Sequence, residues 1–153
     1  QANKPYLPVT DAEYAADLPT VFIGDPYRLR RIILNLLSNA VRFTPKGHVS
    51  VQVKLGKVVD DRNIILQLLV VDTGIGIPPE KQSLIYEKFY RIHPANQNKY
   101  SGAGLGLHIV KQLMTDLEGE IELVSTPTKG TTFLCTIPFK KPLIDTLLDE
   151  NDD

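Results

Sequence analysis

An α/β fold is predicted by three observations. Residues 26–43 and 104–118 carry apolar side chains at helical spacing, while 48–55, 120–125 and 131–139 alternate with period two. Ile64–Val71 is a nearly continuous apolar run, the pattern of a central strand covered on both faces or nearly so. At 153 residues the chain is long enough for one domain with a real core. Its net charge of −1 gives no general basic character, which argues against nucleic acid as partner. One cysteine, Cys135, excludes an internal disulfide and fits a reducing compartment. No apolar run reaches bilayer length and no signal-peptide pattern opens the chain. It starts at Gln1-Ala2-Asn3 without an initiator methionine, as a piece of a longer protein would.

In chain order, Tyr6–Val9 and Thr20–Gly24 read as short strands around a loop at Asp11–Pro19. Asp25 then caps a helix with Pro26 at its first position. Within 26–43, Leu29, Ile32, Ile33, Leu36, Leu37, Ala40 and Phe43 form the apolar face. Arg31, Asn35, Asn39 and Arg42 share a neighbouring arc roughly 80° wide. Thr44-Pro45-Lys46-Gly47 stops the helix. His48–Leu55 reads as a half-buried strand, Val58–Asn63 as a turn and Ile64–Val71 as the central strand. A short helix follows over Glu80–Phe89. Residues 90–101 have no apolar periodicity; a connection this long in a compact domain reads as a lid, mobile without ligand, or as disorder. The second clear helix, 104–118, has Val110, Leu113, Met114 and Leu117 as its stripe and Gly119 as its C-terminal cap. Glu120–Ser125 and Thr131–Phe139 close the domain as a hairpin. The domain spans 1–140, and 141–153 reads as an acidic tail or linker.

Three stretches carry chemistry. Gly102, Gly104 and Gly106 stand directly before a helix, where free amides and the positive end of the helix dipole suit phosphate; a plain connection would look the same. Asp72 ends the central strand and faces a turn with Gly74 and Gly76, which leave room for a flat ring whose exocyclic amine the carboxylate accepts from. An aspartate capping its own turn is the plainer alternative. Asn35 and Asn39 lie one turn apart on a helix, where each costs roughly 0.5–0.7 kcal/mol against alanine. Neutral amide oxygens suit a partly hydrated Mg²⁺ that shares phosphate oxygens, and Arg31 and Arg42 add charge; a solvated face is the alternative. Together these stretches read as an ATP–Mg²⁺ site. No G-x-x-x-x-G-K-[ST] occurs, and the glycines follow a loop rather than a strand, so neither the P-loop nor the Rossmann pattern applies.

The same segments resemble the boxes of the catalytic and ATP-binding domain of bacterial sensor histidine kinases. That domain shares its superfamily with DNA gyrase B, the ninety-kilodalton chaperones and the MutL mismatch-repair proteins. Asp25–Leu29 through Asn35–Thr44 resembles the N box and Asp72–Pro78 the first glycine box. Ile85–Arg91 resembles the F box, Gly102–Leu107 the second glycine box, and Gly130-Thr131-Thr132-Phe133 the last. The resemblance runs from about residue 4 to 139. It implies a two-layer α/β sandwich, a mixed sheet of about five strands backed by three helices, with a long ATP lid (the Bergerat fold). It also implies roles. Asn35 would hold Mg²⁺ and Asn39 the phosphates, with Arg42 and Phe43 flanking the phosphate and nucleoside end. Asp72 would take the adenine amine, with Gly74, Gly76 and Ile77 along the base. Arg91 would reach the γ-phosphate from the lid, and Gly102, Gly104, Leu105, Gly106 and Leu107 would close over the phosphates. Thr131 would reach adenine through water.

The function so implied is transfer of the γ-phosphoryl of Mg-ATP to a histidine on a dimerisation domain of the same parent, which passes it to a response-regulator receiver domain. Asn35, Arg42 and Arg91 would be the catalytic residues. The resemblance places the domain in the cytoplasm without membrane contact of its own, any inner-membrane anchor lying in other segments of the parent. Three departures bear on this. Arg31 stands four residues before Asn35, where relatives often carry Glu, Gln or His, and an arginine is no base near neutral pH. Lys88 replaces the usual F-box proline. The phosphoacceptor histidine with its H-E-x-x-x-P context is absent; His48 and His93 read as surface residues and His108 as packed or capping. A non-catalytic nucleotide-binding module is therefore the alternative, followed by an ATPase or serine kinase of the same superfamily.

Overall fold

The computed structural model describes residues 9–14, 23–87 and 106–141. Its elements in order are β1 (Val9–Tyr14), α1 (Pro26–Arg42), β2 (Val49–Val58), β3 (Asn63–Asp72), α2 (Pro79–Gln82), α3 (Leu107–Asp116), β4 (Glu120–Thr126) and β5 (Gly130–Lys140). The five strands form one sheet in the order β1-β2-β3-β5-β4. β1 and β2 are parallel and every other pair is antiparallel, so the sheet is mixed as expected. α1 packs on β3 and β2, α3 packs on β4, and the two helices pack on each other. That is the second layer of a two-layer α/β sandwich.

α1 begins as its sequence dictates. The Asp25 carboxylate accepts from the Arg28 amide at 3.0 Å, and Pro26 takes a position whose N–H has no helical partner. Ile32, Leu36 and Ala40 are fully buried against the sheet, each apolar side chain contributing about 1.5–3 kcal/mol by leaving water for the larger two. They meet Ile64, Leu66, Leu68 and Val70 of β3 and Phe133, Cys135, Ile137 and Phe139 of β5 in one core cluster, with Val110, Leu113 and Met114 of α3. Cys135 belongs to that core, and burial pushes its thiol up to about 12.

Several expectations are corrected. The stretch read as a loop after Val9 holds β1, because Val9–Tyr14 gains a parallel partner in β2 that no local pattern announces. Of the second predicted strand, Ile23 makes an antiparallel bridge to Lys140, and 20–22 lie outside the described residues. β3 is central but not covered on both faces: even-numbered residues are buried and odd-numbered ones half-buried, since the helices lie on one face only. β2 runs on past Leu55 to Val58, through an irregularity between Leu55 and Lys57. The helix expected over Glu80–Phe89 is a single turn at Pro79–Gln82, followed by turns through Tyr86.

The end of α3 also differs. Gly119 is not the left-handed residue; Glu118 is, with φ 59°. The Gly119 amide donates to Met114 O at 2.8 Å and the Glu118 amide to Thr115 O at 3.0 Å, the paired bonds of a Schellman cap. Gly119 is needed for a different reason: a Cβ there would stand 2.6 Å from Thr136 O.

Candidate functional site

Asp72 closes β3, opposite Thr131 of β5 and Val49 of β2. Its side chain is 7% exposed, and Oδ1 accepts from the Gly74 amide at 2.9 Å and the Thr131 amide at 3.2 Å. Burial raises the carboxyl from its ordinary value, and those two amides act in the opposite direction. The aspartate does cap its own turn, as the plainer sequence reading had it. It also reaches the last glycine box, which a turn cap alone does not require.

The glycines of this turn are explained by backbone. A Cβ on Gly74 would run into Phe43 O, and one on Gly76 into Thr126 O. The space expected at these two positions for a flat ring is filled, on the side a Cβ would take, by main chain. The end of α1 and the β4–β5 turn are thereby drawn onto the first glycine box: the Ile75 amide donates to Phe43 O at 3.1 Å and the Thr128 amide to Ile75 O at 2.8 Å. Gly76 has φ +73° and Gly130 φ +123°, values that favour glycine. At Gly130 a Cβ would meet Asp72 O, so the last box rests on the residue that ends β3.

Ser125 was missed by sequence reasoning. Its hydroxyl accepts from the Ile77 amide at 2.7 Å, donates to Gly130 O at 3.0 Å and stands 2.8 Å from Thr131 Oγ1. Gln82 was missed too: its Nε2 donates to Ile77 O at 2.9 Å and to Ser125 O at 3.3 Å. The only signal for Ser125 is a pair of hydroxyl residues bracketing the turn 126–130. Ile77 and Thr131 are buried, at the ends of this network.

On α1, Asn35 and Asn39 face inward, 3% and 7% exposed. A solvated face is thereby excluded. Asn39 Nδ2 donates to Asn35 O at 2.9 Å. Asn35 Nδ2 is buried and meets no hydrogen-bond partner among the described residues. A buried amide left so costs about 1–3 kcal/mol, so the position is held against stability. Arg42 and Phe43 are half-buried at the helix end. Arg31 is exposed, its guanidinium 5.9 Å from the Tyr27 ring centroid.

Gly106 is the N-cap of α3 and Leu107 its buried first residue, so the predicted helix starts later than 104. A Cβ on Gly106 would collide with the His108 ring, which is half-buried. Exposed His48 only joins strand ends, its amide donating to Thr73 Oγ1 at 2.8 Å. Arg91, Gly102, Gly104 and Leu105, with Lys88, His93 and the whole expected lid at 90–101, lie outside the described residues. The structure therefore gathers Phe43, Asp72, Gly74, Ile77 and Thr131 around one hydrogen-bonded network, with Gly76 packed on Thr126 beside it, and carries Asn35, Asn39 and Arg42 on the helix that ends there.

A two-layer sandwich with this box order defines a class, and comparison with known proteins agrees. Residues 24–141 match the model of the histidine kinase-, DNA gyrase B-, and HSP90-like ATPase family, and the chain belongs to that family. The autoinducer 2 sensor kinase/phosphatase LuxQ of Vibrio vulnificus (strain CMCP6) is 46% identical over 117 residues, 76% of this chain and 14% of that protein. The signal transduction histidine-protein kinase BarA of Escherichia coli (strain K12) is 36% identical over 118 residues, 77% of this chain and 13% of that protein. The chain thus spans about one seventh of the length of these curated relatives. The crystal structure of full-length ShkA in complex with AMPPNP superposes with a TM-score of 0.66 at 31% identity, over 86% of this chain and 26% of that one. No helix among the described residues is long and apolar enough to cross a membrane.

Proposed function

We propose that this chain binds Mg-ATP and transfers the γ-phosphoryl group to a histidine on a separate dimerisation domain of its parent protein, in two-component signalling. The observation that carries this reading is the buried Asn35 side chain, whose Nδ2 donor meets no partner among the described residues. An unsatisfied N–H donor suits a phosphate oxygen, and with Nδ2 turned to phosphate the Asn35 Oδ1 would be left for Mg²⁺, which takes neutral amide oxygens beside phosphate and water. The Asn35 amide oxygen would supply one ligand to the ion and the nucleotide phosphates would supply others. The metal would neutralise phosphate charge as it develops.

Asn39 and Arg42 bind phosphate in this reading, and the Gly106–Leu107 start of α3 donates amides to it. Asp72 accepts from the adenine amine, with Phe43 and Ile77 against the nucleoside. Arg91, Gly102, Gly104 and Leu105 are assigned to the γ-phosphate and the cover over it. In the transfer itself a histidine nitrogen attacks the γ-phosphorus, the bond to the ADP oxygen breaks, and a base on the partner helix takes the imidazole proton. The chain positions reactants and balances charge rather than supplying a nucleophile. A receiver domain is the next acceptor.

The test is transfer in trans. With the parent's dimerisation domain and radiolabelled ATP, label is expected on the acceptor histidine, and Asn35→Ala abolishes it. Mg-ATP binding without transfer would establish the second reading, a non-catalytic nucleotide module. Arg31 is the observation on that side, an exposed cation stacked on Tyr27 where ATPase relatives carry a base.

A further inference from the structure

Ser125, Thr131 and Asp72 stand in one row across three neighbouring strands. Ser125 of β4 is opposite Thr131 of β5, and Thr131 is opposite Asp72 of β3. Their hydroxyl contacts have one direction. A serine hydroxyl has one hydrogen to give and two lone pairs with which to receive. The Ser125 hydrogen goes to Gly130 O at 3.0 Å, and the Ile77 amide donates to Ser125 Oγ at 2.7 Å. The 2.8 Å contact between Ser125 Oγ and Thr131 Oγ1 then closes only with the Thr131 hydrogen. Since β5 lies between β3 and β4, Thr131 gives that hydrogen to the strand away from Asp72 and keeps lone pairs alone for any further contact. The arrangement is held from outside as well. Gln82 Nε2 donates to Ile77 O at 2.9 Å and to Ser125 O at 3.3 Å, which fixes the Ile77 residue beside Ser125.

We infer that Ser125 is a specificity-determining residue of the nucleotide site: by taking the Thr131 hydrogen it fixes Thr131 as an acceptor, and so selects a 6-aminopurine over a 6-oxopurine. The inference rests on the adenine role proposed for Asp72 and deepens it. Ser125 touches no substrate and acts through Thr131, as a positioning residue. Ionised Asp72 is an acceptor only and takes the exocyclic amine. Thr131 accepts one hydrogen of the water through which it reaches the base, and the other hydrogen of that water goes to the bare ring nitrogen beside the amine. A 6-oxopurine presents the reverse pattern, a carbonyl oxygen and a ring N–H. That N–H needs an acceptor where the water donates, and the water turns round only if Thr131 has a hydrogen to give it. With Ser125 in place that hydrogen is committed.

Calorimetric titration of the chain with Mg-ATP and with the Mg complex of inosine triphosphate tests this through a ratio of affinities. A general loss of stability or of phosphate binding lowers both affinities and leaves the ratio alone. Wild type is expected to bind ATP more tightly. Ser125→Ala should lower the ATP-to-inosine preference by about tenfold, the worth of one neutral hydrogen bond, chiefly by tightening the inosine nucleotide. In a Thr131→Val background the same substitution should leave the ratio unmoved. Thr131→Val by itself, which keeps Ser125, should weaken ATP binding and leave inosine triphosphate unchanged. Equal affinity of wild type for the two nucleotides, an unmoved ratio in Ser125→Ala, a shift that persists without the Thr131 hydroxyl, or equal losses in Thr131→Val would overturn the inference. Asp72→Asn tells its failure from that of the adenine role. ATP affinity that falls with Asp72→Asn, beside a ratio that ignores Ser125→Ala, removes Ser125 alone. ATP affinity indifferent to Asp72→Asn removes the adenine role and this inference with it.

Discussion

The Thr131 amide donates to Asp72 Oδ1 across 3.2 Å, joining residues 59 apart in the chain. The same oxygen accepts from Gly74, so one carboxylate oxygen fixes the first glycine turn and the last box at once. Asp72→Asn keeps an acceptor oxygen for both amides while removing the charge. Under the proposed adenine role it weakens nucleotide binding by about 2–3 kcal/mol, roughly 30–150-fold, as for a hydrogen bond to a charged group. Calorimetric titration with ATP checks this. Unchanged affinity in a folded variant would remove Asp72 from the base site.

The same residue sets a pH dependence. Burial raises its carboxyl from 3.8, so between 3.8 and the raised value the folded chain binds more protons than the unfolded one. Stability from this group is therefore lost as pH rises through that window. Asp72→Asn removes the term, and the variant is expected to be more stable than wild type at pH 7, the advantage closing as pH falls below 3.8. Urea unfolding at several pH values reads the difference directly. Nucleotide affinity should move the opposite way, rising with pH as the carboxylate ionises.

What the sequence made legible was local. The Asp25 cap, the α1 face and the alternation in β5 are dictated within a turn or two of chain, and they stand where the pattern put them. What it hid depends on register. β1 is a strand because β2 lies beside it, and nothing in Val9–Tyr14 says so. Ser125 looked like one polar residue on an alternating strand, yet its function is set by the Ser125–Thr131 pairing and by an Ile77 amide 48 residues away. Gly74 and Gly76 read in the sequence as room for a ligand, and the structure shows close approach of backbone on the side a Cβ would take. Space for a ligand and close approach of backbone leave the same mark on a sequence.

The end of α3 offers a stability test without functional cost. Glu118 holds φ 59°, where a non-glycine side chain crowds its own backbone by about 1–2 kcal/mol. Glycine relieves that crowding but costs entropy in the unfolded chain, so Glu118→Gly is expected to stabilise by about 0.5–1 kcal/mol. Gly119→Ala should do the reverse by about 1–3 kcal/mol, because its Cβ would meet Thr136 O at 2.6 Å. Denaturant midpoints of the two variants, with unchanged slopes, distinguish this account from one in which Gly119 is the left-handed cap.

Asn35 separates stability from binding most sharply. Its side-chain nitrogen is buried and meets no partner among the described residues, and asparagine is about 0.6 kcal/mol worse than alanine inside a helix. Removing the amide takes away an unsatisfied group, although it also leaves a small void beside Leu36 and Asn39. Asn35→Ala is therefore expected to be as stable as wild type or up to about 1 kcal/mol more stable, against the usual loss for a buried truncation. Under the proposed metal role the same variant loses the extra thermal stabilisation that Mg²⁺ adds to ATP, while the metal-free shift with ATP and chelator is retained. Thermal unfolding under the four conditions of nucleotide and metal resolves both halves. A destabilised variant would mean that the amide has an internal partner, and a retained Mg²⁺ increment would mean that another side chain carries the ion.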